Sequence, residues 1–365
     1  MKDDEKRRYV GIDLGKREYT MAIIDKKGKT SIHKGSTTIQ GREALYKKLE
    51  NSDKIALEAG NMAFKMAREI MQRTGSEVRV LNSAKLPFIW DAPTKTDKED
   101  ARKLAVLVEE RRDEKLPIVP LPSETEMERR ELVSNYKREV KGRTKTINTL
   151  HSLFWKQGRT EVVRKHLATA AKAAEAVKIL TGQVLEEALW QIKHFELYEK
   201  RIKELKEKIE SEAKQDESMK QLQSIAGVGP VVAYAFVAHV GDGSRFSKGA
   251  QVSNYLGFVP RLDYSGTIQR HGHISKRGNG YLRGLLVQAA WAMVRSGKGG
   301  ALKARYEYLT KVQGRSKKKT VVSIGRRMAE LMYTLLRNKT NYEVRVWKAP
   351  PNKMAALAEQ ARSSA

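Results

Sequence analysis

The amino-acid sequence predicts a multidomain protein, with an α/β region at the N-terminus and helices through the rest of the chain. Its 365 residues exceed the usual size of one domain, and 40% of them are apolar, which is enough for two or three hydrophobic cores. Short β-type runs alternate with helical runs from Tyr9 to about Asn82, whereas Glu124 to Gln223 carries scarcely any strand signal. The fold class is therefore α/β followed by all-α.

The N-terminal region contains five predicted strands. The runs "YVGID", "YTMAIID" and "KTSIHKGST" alternate as strands do and predict a meander, and "KIALEA" and "EVRVLN" predict two more strands. Helices are predicted at about 42–49, 62–73 and 97–112. The Pro-rich connector "LPIVPLPSE" follows, and because proline resists both helix and sheet, we place the end of this domain, residues 1–122, within it.

The middle region, residues 123–220, is predicted to be a helical or coiled-coil domain. Apolar residues recur there at spacings of three and four: Leu185, Leu189, Ile192, Tyr198, Ile202, Leu205 and Ile209. Two interpretations stay open, a helical hairpin within one chain and a coiled-coil arm that forms dimers, because heptads alone do not fix the number of chains.

The third predicted domain, residues 221–347, is mainly helical. Gly227 and Gly229 open a helix of small residues that is similar to a helix-hairpin-helix element, although an ordinary turn between helices fits as well. The stretch "YLGFVPRLDYSGTIQRHGHISKRGNGYL" predicts a basic, Gly-rich loop between two helices. Residues 348–365 are predicted to be a loosely ordered tail.

The charge of the chain points to a polyanionic partner. Lys and Arg number 71 against 43 Asp and Glu, which gives a net charge of +28. Nucleic acid is the first candidate. No apolar run approaches the roughly 20 residues that span a bilayer, and the charged N-terminus lacks a signal peptide's apolar segment, so we expect a cytoplasmic protein without a membrane partner. The absence of cysteine excludes disulfides, thiolate nucleophiles and Cys-type zinc sites.

Four carboxylates are the candidate catalytic and metal-binding residues. Asp13 and Glu58 end two predicted strands, and Asp97 and Asp100 share one face of the helix that follows. If the first strand is central, the four converge, and such a cluster needs cations, of which Mg²⁺ or Mn²⁺ suit oxygen ligands. Two ions about 4 Å apart would support phosphodiester cleavage. Alone, Asp13 could be a turn residue and Asp97 a helix cap or a first-turn charge.

Two sets of sequence motifs carry a resemblance to a known family. The motifs "YVGIDLGK", "ALEAG" and "TKTDKEDARKLA" resemble those of the DEDD transposases of bacterial insertion sequences, of the 110 and 1111 type, whose relatives include the Piv DNA invertase. The stretch from "IAGVGPVVAYAF" to "YLRGLLVQAAW" is similar to the C-terminal transposase domain of the same family. The resemblance covers about Tyr9 to Arg295.

This resemblance implies an RNase H or RuvC-like N-terminal domain that carries the four acids, a coiled-coil middle and a C-terminal domain with a serine nucleophile. The family's Ser-Gly step corresponds to Ser265 in "DYSGT". Ser275 in "HISKRGN" is the alternative nucleophile, and could instead cap the next helix. The neighbouring basic residues could offset charge on the reacting phosphate or contact DNA: Arg270, Lys276 and Arg277, with His271 and His273 as possible acids.

The resemblance also implies donor and target DNA as partners, a structured, bridge-type guide RNA that pairs with both, and a homo-oligomer, either a dimer or a tetramer. Basic residues that could bind nucleic acid, or simply be solvated, flank the acids and stripe the middle region: Lys95, Lys98, Arg138, Lys141 and Arg143. The expected location is the bacterial cytoplasm, in association with the nucleoid. The alternatives are a Piv-like invertase or junction-resolving nuclease that works without RNA, and a non-catalytic DNA-binding protein. Glu99 points away from the acid face and is expected to be dispensable.

Overall fold

The computed structural model describes residues 7–60, 62–82, 85–86, 96–265 and 268–344, and for 262–265 and 268–271 it describes the backbone only. The chain divides into two compact units, Met1–Ser123 and Glu124–Ala365. None of the helices described in either unit is long and apolar enough to cross a membrane.

The first unit is built on a five-stranded mixed sheet. Its strands are β1 (Tyr9–Leu14), β2 (Glu18–Ile24), β3 (Thr30–Ser36), β4 (Lys54–Glu58) and β5 (Glu77–Leu81). The order across the sheet is β3-β2-β1-β4-β5. The first strand is therefore central, as the predicted carboxylate site requires, with β2 antiparallel on one side and β4 parallel on the other.

Helices cover both faces of this sheet, and the alternation of side chains along β1 shows how. Val10 and Ile12 point into the core formed with the helices α1 (Ile39–Tyr46) and α2 (Ala63–Thr74). Gly11, between them, faces the opposite side, where α3 (Asp97–Glu110) packs through Ala101 and Leu104. The unit is a three-layer α/β sandwich in which α3 lies alone on its face among the described helices.

The Pro-rich connector is tied to the edge of the sheet. The amide of Val119 donates to the carbonyl of Val80 at 2.7 Å, and Ile118 forms an isolated antiparallel bridge with Leu81. The connector thus covers the outer edge of β5 before the first unit ends at Ser123.

The second unit begins with a long antiparallel helical hairpin. Its helices are α4 (Glu124–Lys156) and α6 (Gly182–Gln215), joined through the short α5 (Ala170–Ala176) and two 3₁₀ turns. At the outer end Leu150 and Phe154 of α4 pack against Ile192 and Phe195 of α6. The chain therefore forms a helical hairpin by itself, which is one of the two interpretations of the heptads.

The inner ends of α4 and α6 join a larger core made with the remaining helices. These are α7 (Glu217–Gln223), α8 (Pro230–Val240), α9 (Gly249–Tyr255), α10 (Gly280–Arg295), α11 (Gly300–Glu307) and α12 (Lys317–Asn338). Gly227, at φ +87°, lies in the turn before α8, where a Cβ atom would press into the backbone of α10 at Ala289 and Met293. That turn therefore needs glycine for close packing as well as for its conformation.

The prediction of a basic loop between the two helices is wrong for most of that stretch. The chain there forms an antiparallel hairpin of β6 (Pro260–Ser265) and β7 (Ile268–Ile274). Its sequence, "PRLDYS" and "IQRHGHI" around a Gly-Thr pair, does alternate as a strand does, but the basic and glycine-rich composition suggested a loop.

Candidate active site

Asp13 and Glu58 lie at neighbouring strand ends. In the parallel pair of β1 and β4, Ile12 is opposite Leu57, so Asp13 and Glu58 occupy the next step of the register. Neighbouring strands are about 4.8 Å apart. Glu58 is opposite Leu81, which packs in the core beneath α3, so both carboxylates belong to the α3 face of the sheet.

Helix α3 runs antiparallel to β1, which brings its first turn to the same end of the sheet. A Cβ atom on Gly11 would overlap the Ala101 carbonyl oxygen and the Ala105 amide nitrogen, so the two elements touch through their backbones. Tyr9, at the start of β1, packs against the apolar cluster that contains Leu107 and Val108, from the second half of α3. The N-terminus of α3 therefore extends toward Asp13, at the other end of β1.

Asp97 and Asp100 differ sharply in their surroundings. Thr96 is the N-cap of α3 and its hydroxyl accepts from the Glu99 amide at 3.3 Å, so the capping interpretation of Asp97 is wrong. Asp97 is an exposed first-turn residue. Asp100 is only 8% exposed, and its Oδ1 is buried without a hydrogen-bond partner among the described residues. A buried carboxylate oxygen without a partner is costly, so the position favours a bound cation.

The donor set fits Mg²⁺ or Mn²⁺, because all four predicted ligands are carboxylates. Over the described ranges, however, no three His, Asp or Glu side chains are placed closely enough to hold a metal ion. The strand register and the direction of α3 place Asp13, Glu58 and the first turn of α3 at one end of one sheet face. Their closure around one or two ions stays a prediction.

The residues next to the acids have different positions. Glu99 forms an i,i+3 ion pair with Arg102, at 3.6 Å between Oε2 and Nε. Lys98 is exposed, and Lys95 lies outside the described residues. Lys103 was missed from the sequence: its Nζ is buried and has no hydrogen-bond partner within the described ranges. One helical turn after Asp100 on α3, it adds a cation beside the acid cluster, and only burial, not residue type, distinguishes it from the many solvated lysines.

The two candidate serines lie on the hairpin and just after it. Ser265 is the last residue of β6 and pairs with Ile268, but its side chain is outside the described part of the structure, as are those of Arg270 and His271. Ser275 follows β7, and its amide donates to Val259 at 2.7 Å. Its Oγ is buried without a hydrogen-bond partner among the described atoms.

Ser275 does not cap the next helix, so that alternative interpretation is wrong. The N-cap of α10 is Asn279, whose Oδ1 accepts from the amides of Tyr281 and Leu282, both at 3.1 Å. Lys276 adopts φ +54°, a left-handed conformation that non-glycine residues rarely take. Lys276 and Arg277 are exposed, as is His273, so the basic segment after β7 presents its charges to solvent.

The basic residues of α4 divide into two groups. Near its start, Arg129 pairs with Asp216 at 2.9 Å, and Arg130 donates to the Ala238 carbonyl at 2.7 Å. Arg138 is exposed and 4.0 Å from Glu131. Farther along, Lys141 is exposed without an ion pair among the described residues. Arg143 is half-buried, and its Nε has no hydrogen-bond partner there.

Partly buried cations lie near the end of α8. Arg245 donates to the carbonyl of His239, in the last turn of α8. The pKa of His239 is lowered to about 4, first by burial and then by charge repulsion from Arg130, Arg245 and Lys137. His239 is therefore neutral at pH 7, and the cations near it favour the carbonyl end of the helix dipole.

Comparison with known proteins identifies the family. Residues 10–156 match a family model for DEDD transposases of the IS110 type, described as a transposase, and residues 219–307 match the model described as the transposase IS116/IS110/IS902 family. Together these matches cover more than half of the chain, and they include Asp13, Glu58, Asp97 and Asp100 in the first and Ser265 in the second.

Named relatives agree with these matches. A probable family 20 transposase of Pseudomonas aeruginosa is 28% identical over 91% of this chain and 98% of its own length. The transposase for insertion sequence element IS1111A of Coxiella burnetii is 31% identical over 56% of this chain and 57% of its own. The pilin gene-inverting protein of Moraxella lacunata is 26% identical over 34% of this chain and 38% of its own. The resemblance seen in the motifs is confirmed, and the chain belongs to the IS110/IS116 family of DNA transposases.

Proposed function

We propose that this transposase cuts and rejoins DNA at a metal site made of Asp13, Glu58, Asp97 and Asp100, carried by a RuvC-like domain of the RNase H fold. The observation that carries the proposal is the buried Oδ1 of Asp100, which lacks a hydrogen-bond partner among the described residues at the end of the sheet where Asp13 and Glu58 lie. A bound cation would remove the cost of burying that charge.

The four acids would hold Mg²⁺ or Mn²⁺, and we propose two ions. When bound, such ions polarise a phosphodiester and stabilise charge on its oxygens. The protein's contribution is the placement of the ligands. Asp13 and Glu58 come from adjacent hydrogen-bonded strands, and Asp97 and Asp100 come from a helix whose backbone touches β1, so all four ligands stand on regular elements.

We further propose Ser265 as the nucleophile, as the family resemblance implies. Its Oγ would attack phosphorus and lose its proton to a base, while the bond from phosphorus to the departing strand's oxygen breaks and that oxygen gains a proton. The serine-linked phosphate keeps the strand available for rejoining. Arg270, Lys276 and Arg277 would offset negative charge on the phosphate, and Ser275 is the alternative nucleophile.

The proposed substrates are donor and target DNA, with a structured guide RNA that pairs with both. The net charge of +28 supports a polyanionic partner without identifying which one. Proposed nucleic-acid contacts are Lys95, Lys98, Arg138, Lys141 and Arg143. We propose a dimer or tetramer, which would cut two strands together. We also propose that the second unit comprises a coiled-coil domain and a transposase domain.

Replacing Asp13 with Asn tests the catalytic proposal. Asp13→Asn keeps the shape of the side chain and removes its charge, so excision of a marked element should fall at least about 100-fold while DNA binding persists. Unchanged excision would contradict a catalytic role for the acids.

The serine assignment needs a separate experiment. Incubation with a nicked or phosphorothioate substrate should trap a covalent protein–DNA adduct, which Ser265→Ala should abolish and Ser275→Ala should retain. An adduct that survives Ser265→Ala and disappears in Ser275→Ala would reverse the assignment.

A site-specific invertase is the second candidate function. It is favoured by the similarity to the Moraxella lacunata pilin gene-inverting protein, which covers 34% of this chain. The two candidates differ in their dependence on RNA. Strand exchange by purified protein that persists after ribonuclease treatment, and without RNA from the flanks of the element, would favour the invertase over the RNA-guided transposase.

A further inference from the structure

The outer half of α4 carries an open groove of about 570 Å³. Its lining residues all lie on this helix: Val140, Lys141, Thr144, Lys145, Asn148, Thr149, Ser152, Leu153 and Lys156. They fall in adjacent pairs that repeat every four residues, so they form a continuous band that winds slowly around the helix. Lys141 to Lys156 spans about 22 Å along the helix axis.

The groove is positively charged and has no carboxylate in its lining. Lys141, Lys145 and Lys156 are exposed, and none of the three takes part in an ion pair among the described residues. The first turns of the same helix differ, since Arg129 there is bound to Asp216. Solvated cations without acidic partners favour a polyanion, since binding one loses no existing ion pair.

Neutral hydrogen-bonding groups lie between the lysines. Arg164 Nη2 donates to Asn148 Oδ1 at 2.8 Å, which leaves the Asn148 amide NH₂ as a donor and adds a fourth cation beside the groove. Ser152 is exposed. Cations interspersed with amide and hydroxyl groups are the side chains that contact phosphate and sugar oxygens in nucleic-acid complexes.

An aromatic ring ends this face. Trp155 follows Asn148 by seven residues and Ser152 by three, so the three share one side of α4. Trp155 is 64% exposed, and the ring of His151 lies 5.6 Å from it. An exposed tryptophan is costly in water, and its free face at the end of a basic track is a surface on which a nucleobase can stack.

We propose that this groove binds an unpaired stretch of nucleic acid, with the sugar-phosphate backbone along the lysines and a base stacked on Trp155. The strand is unpaired because the bases of a duplex already stack on each other and offer no free face to a side chain. The proposal rests on the proposed function for the presence of nucleic acid, and adds the form of nucleic acid and the place where it binds.

Tryptophan fluorescence of the full-length protein tests the stacking. A base stacked on Trp155 should quench its emission when a 12-nucleotide oligo(dT) or oligo(U) is added, and a hairpin-capped duplex of equal length should quench it less. Trp190 offers a matched control, since it is 55% exposed and lies near Lys193 and His194, but belongs to α6 and not to the helix that carries the groove. Quenching should persist in Trp190→Phe and be lost in Trp155→Phe.

Affinity measured by anisotropy with labelled oligonucleotides gives an independent readout. Trp155→Ala should weaken single-strand binding about 5-fold to 100-fold, the range for loss of one stacked base, and Trp155→Phe should restore most of it. Duplex binding should change less than threefold. Circular dichroism melts of each variant check that the hairpin remains folded. Comparing oligo(dT) with oligo(U) tells whether DNA or RNA is the preferred strand.

Three results would overturn the proposal. Single-strand affinity that is unchanged in Trp155→Ala would exclude the stacking. Equal competition by polyglutamate would reduce the groove to a general anion surface. A change in Trp155→Ala from a larger to a smaller species in sedimentation, with nucleic-acid binding retained, would make this face an interface between copies of the chain. Asp13→Asn should reduce excision and leave oligonucleotide binding intact. The excision assay therefore tests the catalytic proposal, and the binding assay tests the groove, independently of each other.

Discussion

Among the described residues, the acid face of the first unit contains a buried carboxylate oxygen without a hydrogen-bond partner, whereas the basic groove of α4 contains solvated lysines without an acidic partner. On the acid face, Asp100 is buried and its Oδ1 has no hydrogen-bond partner in the described part of the chain. In the groove, the lysines are solvated and have no acid. A desolvated charge interacts strongly with one ion at a fixed place, whereas solvated charges interact weakly with many phosphates. The buried carboxylate therefore suits metal-dependent catalysis, and the solvated lysines suit the binding of a flexible nucleic-acid strand.

The largest effect should come from neutralising the buried acid. Asp100→Asn should lower strand transfer at least about 100-fold, since it removes a proposed metal ligand. It should also leave the metal-free protein as stable as the wild type or more so, because a buried unpaired charge disappears. Thermal melts with and without Mn²⁺ measure this: the ion should raise the melting temperature of the wild type and not of the variant.

Glu99→Ala is the matched control for that experiment, because Glu99 lies one residue away but pairs with Arg102. It should leave both activity and the Mn²⁺ response nearly unchanged, since an exposed i,i+3 pair contributes only about 0.5 kcal/mol. An equal loss of the Mn²⁺ response in Glu99→Ala and Asp100→Asn would mean that the buried Asp100 is no more important for binding the ion than its neighbour Glu99.

A smaller effect should follow from lifting α3 off the sheet. Gly11→Ala places a methyl group against the backbone of α3 at Ala101 and Ala105, neither of which is the flexible end of a side chain. We expect a loss of about 1 to 3 kcal/mol in stability, together with reduced strand transfer because Asp100 moves with the helix. Unfolding by urea measures the first effect. A stable variant with full activity would show that the distance between α3 and β1 does not matter.

Burial and nearby positive charge together make His239 a pH-dependent contributor to stability. Its pKa of about 4 is below the usual 6.5, so the unfolded chain binds a proton that the folded chain does not. Stability from this group is fully present above pH 6.5 and is lost as the pH falls toward 4, by on the order of 1 kcal/mol per pH unit. His239→Gln should flatten this part of the dependence of the melting temperature on pH. Parallel curves for the two proteins would contradict the assignment.

The smallest effect should come from the groove lysines. Replacing Lys141 and Lys145 by Gln should weaken single-strand binding only several-fold at moderate salt, and lower the slope of log affinity against log salt by about 1.4. Lys178→Gln is the control, since Lys178 is also exposed but pairs with Glu175 at 2.7 Å. A slope unchanged by the double variant would exclude phosphate contacts at these positions.

Sequence patterns predicted most of the architecture because the signals were periodic. The strand ends at Asp13 and Glu58, the helix that begins at Asp97 and the central position of β1 could all be inferred from alternation and spacing. The β6–β7 hairpin could not, because basic and glycine residues concealed its alternation. Nor could burial be inferred, since Lys103, Lys141 and Arg129 are alike in the sequence and are distinguished only by what packs around them.

The unbroken length of α4 has a mechanical consequence. It is a single helix of 33 residues, about 50 Å long, that runs from the ion pair of Arg129 with Asp216 to Trp155 near its outer end. A helix without an internal break does not bend at the point where a lateral force is applied. A strand that pulls on the outer end would therefore turn the helix about its root, where the carbonyl of Ala238 at the end of α8 is held by Arg130.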